Sequence, residues 1–294
     1  MLDRSAVPED PPAQRQPMFN LPFAVLATVA VLVGLHALRL LLPEGWDDAL
    51  FTRLAFVPGR LTYAAAPDRV VDSVVALAGQ GSDGYRQALA ERFFLGDGSP
   101  QPWTAVTYGL LHADWAHVGL NAVWLLAFGT PVARRFGTPR FLGFLAVTAL
   151  AGAAVQWAAH PLDLAPVIGA SASVSGCMGA TLRFMFQPEV PMAAIVDAAG
   201  EGRRRAFLQP TRSLREMSKD RRAVTFLVAW FVTNLLFGLS SLPLGLASGP
   251  IAWEAHIGGF LAGLLLFRWF DPARRTEPSD GSGEVAPEPE AGTG

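Results

Sequence analysis

The chain has 294 residues, 51% of them hydrophobic and 16% charged, with a mean hydropathy of +0.31. Soluble domains carry about a quarter charged residues, so this deficit, with eight Trp and nineteen Phe, excludes an ordinary soluble globule and points to a membrane protein. A single cysteine, Cys177, excludes an intramolecular disulfide framework and any CxxC metal site, and a net charge of −2 gives no sign of a nucleic-acid partner, so none is expected.

The chain opens with a polar, proline-rich stretch, residues 1–17, expected to be disordered. Phe19–Leu42 follows; it is too long for a signal-peptide core and long enough to cross a bilayer. Further apolar stretches lie at 113–130, 141–160, 167–186, 223–246 and 250–270, so that with 18–42 there are six, each close to the ~20 residues a spanning helix needs. The expected fold class is therefore all-α, a polytopic membrane bundle of six transmembrane helices within residues 18–271. The fourth stretch is the least hydrophobic, because Gly and Ser replace Leu and Ile; small residues are what close helix packing in lipid requires.

The connections differ in charge. Residues 131–140 carry Arg134, Arg135 and Arg140 and no acid, and the basic loop 187–222 carries eight basic residues against five acids. The long first loop, 43–103, carries five Arg against eight acids. The positive-inside rule then puts that loop outside and both termini in the cytoplasm of a bacterial-type inner membrane. The first loop contains Trp46, Phe51 and Trp103, and the sequence leaves open whether it lies in the membrane interface or folds as an ordinary loop. Residues 272–294 form a Glu-, Pro- and Gly-rich tail expected to be disordered. No internal repeat of the transporter kind is evident.

Polar groups at membrane depth are costly, so each needs a reason. The second stretch opens with HADWAHVGLNAVWLL, which holds His112, His117 and Asn121; the fourth holds Ser171, Ser173 and Ser175; the sixth opens with AWEAHIGGFLAGLLL, which holds His256. All three stretches run from outside to inside in this topology, so at ~1.5 Å per residue His117, Asn121, Ser171 and His256 converge roughly 6–12 Å below the outer surface. His117 and Asn121 share a helix face, Ser171, Ser175 and Gly179 form a small-residue stripe, and Ala252, His256, Gly259 and Gly263 form another. Packing stripe on stripe would carry Ser171 toward His256.

A serine hydroxyl needs a base to take its proton, and the neutral imidazole of His256 is suitable. Attack on a peptide carbonyl creates an oxyanion, for which Asn121, His117 and the backbone N–H groups at the start of the fourth helix are donors; Pro166 and Gly169 suit a bent approach to that start. No carboxylate is placed to orient His256, since Glu254 points about 200° away around the helix. His36 and His160 have no evident partner, Ser173 faces away from Ser171 and reads as structural, and packing is the simpler role for Ser175. No metal or other cofactor is expected: His112 and His117 are about 140° apart on a helix, and no HExxH occurs.

These residues resemble the rhomboid family of intramembrane serine proteases, over roughly Trp103 to Trp269. The similarity rests on His-x4-His-x3-Asn opening the second span, Gly-x-Ser at the fourth and Ala-His-x-Gly-Gly opening the sixth. It implies a Ser171–His256 dyad, with an oxyanion hole of His117, Asn121 and the Ser171 amide. It further implies supporting positions at His112, Gly169, Ser175 and Gly259, and single-span membrane proteins as substrates. His112 would be structural or organise water, and substrate access would involve the first loop, the fifth span and a cap. The sequence departs from the family pattern twice: Ala172 stands where Gly commonly follows the serine, and Thr104 where Arg commonly follows Trp. An inactive relative that captures membrane clients is the alternative reading, with Ala172 as its feature. A transporter with His117, Asn121 and His256 as a proton path is a third. The oligomeric state is not legible.

Overall fold

A computed structural model describes residues 21–185, 211–239 and 252–272. The expectations for residues 1–17, for residues 273–294 of the tail and for residues 187–210 of the basic loop lie outside these. The described residues are helical, with one isolated antiparallel bridge between Phe56 and Val167 and no strand. Among them, Phe23–Leu41, Trp115–Phe136 and Thr138–Ala159 are long and apolar enough to cross a membrane.

Helix α1 (Phe23–Leu41) is apolar until Arg39, whose guanidinium binds both carboxylate oxygens of Asp47, at 2.7 and 3.0 Å, and donates to the carbonyl of His112 at 3.1 Å. The first loop is a folded unit of four helices, α2 (Glu44–Leu54), α3 (Pro58–Ala65), α4 (Pro67–Ala78) and α5 (Ser82–Leu95), followed by the short α6 (Thr104–Thr107). Thr104 cannot supply the arginine clamp that the family pattern leads one to expect, and a different arginine holds this loop. Arg60 is 2% exposed and donates to the carbonyls of Phe94 and Thr52 and to Gln101 Oε1, at 2.8–2.9 Å. Trp103 Nε1 donates to the carbonyl of Arg53 at 2.8 Å. The unit docks on residues 163–167: Phe56 and Val167 exchange both backbone hydrogen bonds, and Gly59 N–H donates to the carbonyl of Asp163.

Helix α7 (Trp115–Trp124) is capped by Asp114, which accepts from His117 N–H at 2.8 Å, and passes through one π-helical turn, Leu125–Gly129, into α8 (Thr130–Phe136). The second span therefore runs past residue 130. Arg135, read from sequence as part of a loop charge signal, is a fully buried side chain bonded to both carboxylate oxygens of Asp271, at 3.0 and 2.8 Å, with its guanidinium against the rings of both Phe184 and Phe267. The pair joins the end of α8 to the end of the last helix.

Helix α9 (Thr138–Ala159) leads to α10 (Ser171–Leu182), which is shorter than expected because residues 167–170 are not helical. Every residue of α10 after Ser171 is buried. That explains its composition: a helix walled by protein on all sides has no lipid to face, so bulk gives way to close approach. A short turn, α11 (Leu214–Met217), closed by a Ser213–Glu216 capping box, precedes α12 (Arg221–Leu239). The last helix is α13 (Trp253–Phe270).

Helices α10 and α13 meet backbone to backbone. A Cβ added at Gly259 would lie 2.0 Å from the carbonyl oxygen of Ala172, and one at Gly263 would lie 2.0 Å from that of Gly176. Both contacts step by four residues in the same direction, so the helices run parallel. The contacting stripe on α10 is Ala172, Gly176 and Gly179 rather than the expected Ser171, Ser175 and Gly179. On α13 it is the expected Gly259–Gly263 face.

Candidate active site

Parallel packing at this register sets the N-terminal ends of α10 and α13 side by side. Ser171 is the first residue of α10 and His256 the fourth of α13. Both are half-buried. The chain reaches Ser171 through Gly169, whose φ of +116° is a conformation that side chains rarely adopt. A Cβ there would also lie 2.7 Å from His117 Nε2 and 3.7 Å from Ser171 Oγ. One small residue thus separates the His117 ring from the Ser171 hydroxyl. The first N–H groups of α10 have no intrahelical acceptor, as at any helix start.

The imidazoles are held in chain. His112 is fully buried; its Nε2 accepts from Ala170 N–H at 3.4 Å, and its ring packs edge-on to His117 with centroids 4.9 Å apart. His117 Nδ1 accepts from Ala113 N–H at 3.5 Å, which assigns the ring proton to Nε2, the nitrogen beside Gly169. Asn121 is buried and donates one amide N–H to the carbonyl of His117 at 3.0 Å, leaving the second N–H of its NH2. Ser173 Oγ donates to the carbonyl of Leu145 at 2.8 Å, in keeping with a structural role. Ser175 is buried one turn below Ser171 and, among the described residues, makes no hydrogen bond to His256.

Among the described residues no hydrogen bond joins Ser171 Oγ to His256. His256 Nδ1 instead lies 2.7 Å from Asn234 Oδ1, on α12. Sequence reasoning missed Asn234; the available signal was an amide alone in an apolar stretch, where a polar group needs a partner. It also found no partner for His160, whose Nε2 lies 2.8 Å from Glu254 Oε1, so that Glu254 ties the end of α9 to the start of α13. His36 is buried against the edge of Trp115, at 4.7 Å. No group of three or more His, Cys, Asp or Glu suited to a metal ion occurs among the described residues.

Ala172 is accommodated. Its methyl carbon is 2.6 Å from where a Cβ of Gly152 would sit, so the missing side chain on α9 makes room for it. The helix start is not crowded by the extra methyl; the volume has moved from one helix to the other.

A family model, the Rhomboid domain, matches residues 99–270. The chain belongs to the rhomboid family. The matched region runs from just before α6 to the end of α13, and so takes in every residue of the site just described. Rhomboid protease GluP of Bacillus subtilis (strain 168) is 34% identical over 80 residues, a match that covers 27% of this chain and 15% of that protein.

Proposed function

We propose that this rhomboid is an intramembrane serine endopeptidase that cuts single-span membrane proteins near the outer end of their transmembrane segment. In this reading six spans cross a bacterial inner membrane, with both termini in the cytoplasm. Ser171 is the nucleophile and His256 the general base. Ser171 Oγ attacks the carbonyl carbon while His256 Nε2 takes its proton, and the carbonyl pair moves onto oxygen. His117 Nε2–H, the second N–H of Asn121 and the Ser171 amide donate to that oxyanion. Collapse breaks the C–N bond, and His256 returns the proton to the leaving amine. Water then repeats the sequence on the acyl-enzyme and frees the serine.

The observation that carries this reading is the register of α10 on α13, which sets Ser171 at an open helix start beside His117 and at the level of His256. Proton transfer needs Oγ and Nε2 at about 2.6–3.2 Å, a contact that ligand-free sites often leave long until substrate binds. The accommodation of Ala172 by Gly152 removes the feature that would have favoured a client-binding relative. The test is a panel of single-span reporters reconstituted with wild type and with Ser171→Ala. Cleavage is expected with wild type alone; cleavage that survives in Ser171→Ala, or none with either protein correctly folded, would reject the assignment.

A further inference from the structure

We infer that Asn234 is a positioning residue for His256: it fixes which ring nitrogen carries the proton, and it does so from α12, which contributes no other residue to the site among the described ones. The inference rests on the protease reading for its catalytic meaning, but its structural content stands apart from it.

The argument starts from the amide. Asn234 Nδ2 lies 2.8 Å from the carbonyl of Trp230, one turn back on α12, and a carbonyl can only accept. The NH2 group is therefore on that side, and the group facing His256 Nδ1 at 2.7 Å is the amide oxygen, Oδ1. An amide oxygen can only accept, so Nδ1 must carry the proton. In the neutral ring, Nε2 is then left with its lone pair free. A base acting on Ser171 needs that tautomer; the opposite one presents an N–H to the hydroxyl and cannot take its proton. Glu254, the carboxylate closest in sequence, is engaged with His160 and does not compete for the ring.

The packing says how Asn234 is held. Phe226, Trp230 and Asn234 lie at i, i+4 and i+8 and form one face of α12. Phe226 meets Phe128 at 5.7 Å between centroids, and Trp230 stacks on Phe260 at 4.0 Å and 20°. Phe260 is one turn after His256 on α13. Val228, Phe231, Val232 and Leu236, elsewhere on α12, are exposed. Asn234 thus reaches the ring only while this one stripe stays docked, and the base is ordered by α12 as well as by α13.

The test uses full-length protein in proteoliposomes with a fluorogenic single-span substrate, and 15N NMR of imidazole-labelled histidine, the His256 signals being identified by their loss in His256→Gln. In wild type, Nδ1 should show the protonated shift and Nε2 the unprotonated one. Asn234→Leu keeps the volume and removes the acceptor. It is expected to mix the tautomers and lower kcat at least about tenfold with KM within about twofold, because an imidazole in the wrong tautomer is a poor base. Asn234→Asp restores an acceptor oxygen and should recover both the tautomer and most of kcat relative to Leu. A purely structural role predicts the opposite order, since Leu suits an apolar helix and Asp does not. Trp230→Ala, which leaves both hydrogen-bonding groups in place but removes the stack, should also mix the tautomers. A wild-type ring protonated at Nε2, or Asn234→Leu with unchanged kcat and tautomer, would overturn the inference. A wild type that cleaves nothing would reject the protease reading, while the tautomer comparison would still decide whether Asn234 sets the ring.

Discussion

Replacing Gly259 with Ala puts a single methyl group where the site is assembled. That methyl would fall 2.0 Å from the carbonyl oxygen of Ala172, 2.6 Å from its carbonyl carbon and 2.9 Å from its Cα. All three atoms are backbone, so no rotamer change relieves the clash. Ordinary contact begins near 3.4 Å, and the shortfall from 3.4 to 2.0 Å requires α10 and α13 to part by about 1.4 Å. Overpacking of this kind costs roughly 1–3 kcal/mol, occasionally more, and two rigid helix backbones put this site at the upper end, about 3 kcal/mol. The catalytic cost should be larger, because a displacement of about 1 Å between reacting groups lowers rates roughly 100-fold. Gly34 is the control: a Cβ there meets nothing within 4 Å, and Ala is the better helix former by up to about 1 kcal/mol. Reversible unfolding in mild detergent and reporter cleavage in liposomes would be measured for both. Gly259→Ala is expected to lose both stability and activity while Gly34→Ala keeps both. A Gly259→Ala protein as stable and active as Gly34→Ala would refute the backbone-to-backbone contact on which the site depends.

The exchange of volume between α9 and α10 predicts an asymmetric rescue. Gly152→Ala should destabilise, and Ala172→Gly should restore part of that loss by removing one of the three atoms the new methyl strikes, whereas Ala172→Gly should do nothing for Gly259→Ala; parallel unfolding curves decide it. Arg135→Met leaves Asp271 buried without its guanidinium and should cost about 3–5 kcal/mol in the same assay, much of it recovered in Arg135→Met/Asp271→Leu. The Asp220 carboxyl is held below the usual carboxylate range, first by the Arg212 side chain and then by the N–H groups of Arg222 and Ala223 at the start of α12. A depressed folded pKa contributes stability above the unfolded value near 3.9 that is lost as pH falls through the folded one. The Arg222 and Ala223 amides should therefore be protected from exchange at neutral pH and lose that protection only in acid, and Asp220→Asn should abolish that pH dependence.

Much of this arrangement was legible in the sequence, and the misses have physical causes. Apolar length located α1, α7, α9, α12 and α13 but not the helices of the first loop, and small residues at four-residue spacing on α13 located its contact face. On α10 the contact stripe shares Gly179 with the expected one but runs through Ala172 and Gly176 in place of Ser171 and Ser175, because the contact is made by backbone atoms that carry no side-chain signal. Arg135 looked like a topology signal because sequence gives charge but not burial; its partner Asp271 is far along the chain. Residues 167–170 are apolar enough to read as helix, yet Val167 is committed to Phe56 and Gly169 to a positive φ. Glu254 points away from His256, and its partner His160, just past the end of α9, is too far along the chain for spacing to reveal. Asn234 went unseen because a lone amide has no spacing to match, and its meaning appears only when α12 meets α13.

The most direct measurement is covalent labelling by a fluorophosphonate, with the modified residue located by mass spectrometry in wild type, Ser171→Ala, Ser173→Ala and His256→Ala. A single adduct on Ser171, lost in Ser171→Ala, strongly slowed in His256→Ala and retained in Ser173→Ala, is the predicted result. An adduct on another residue, or labelling of Ser171 that proceeds equally well without the His256 imidazole, would contradict it.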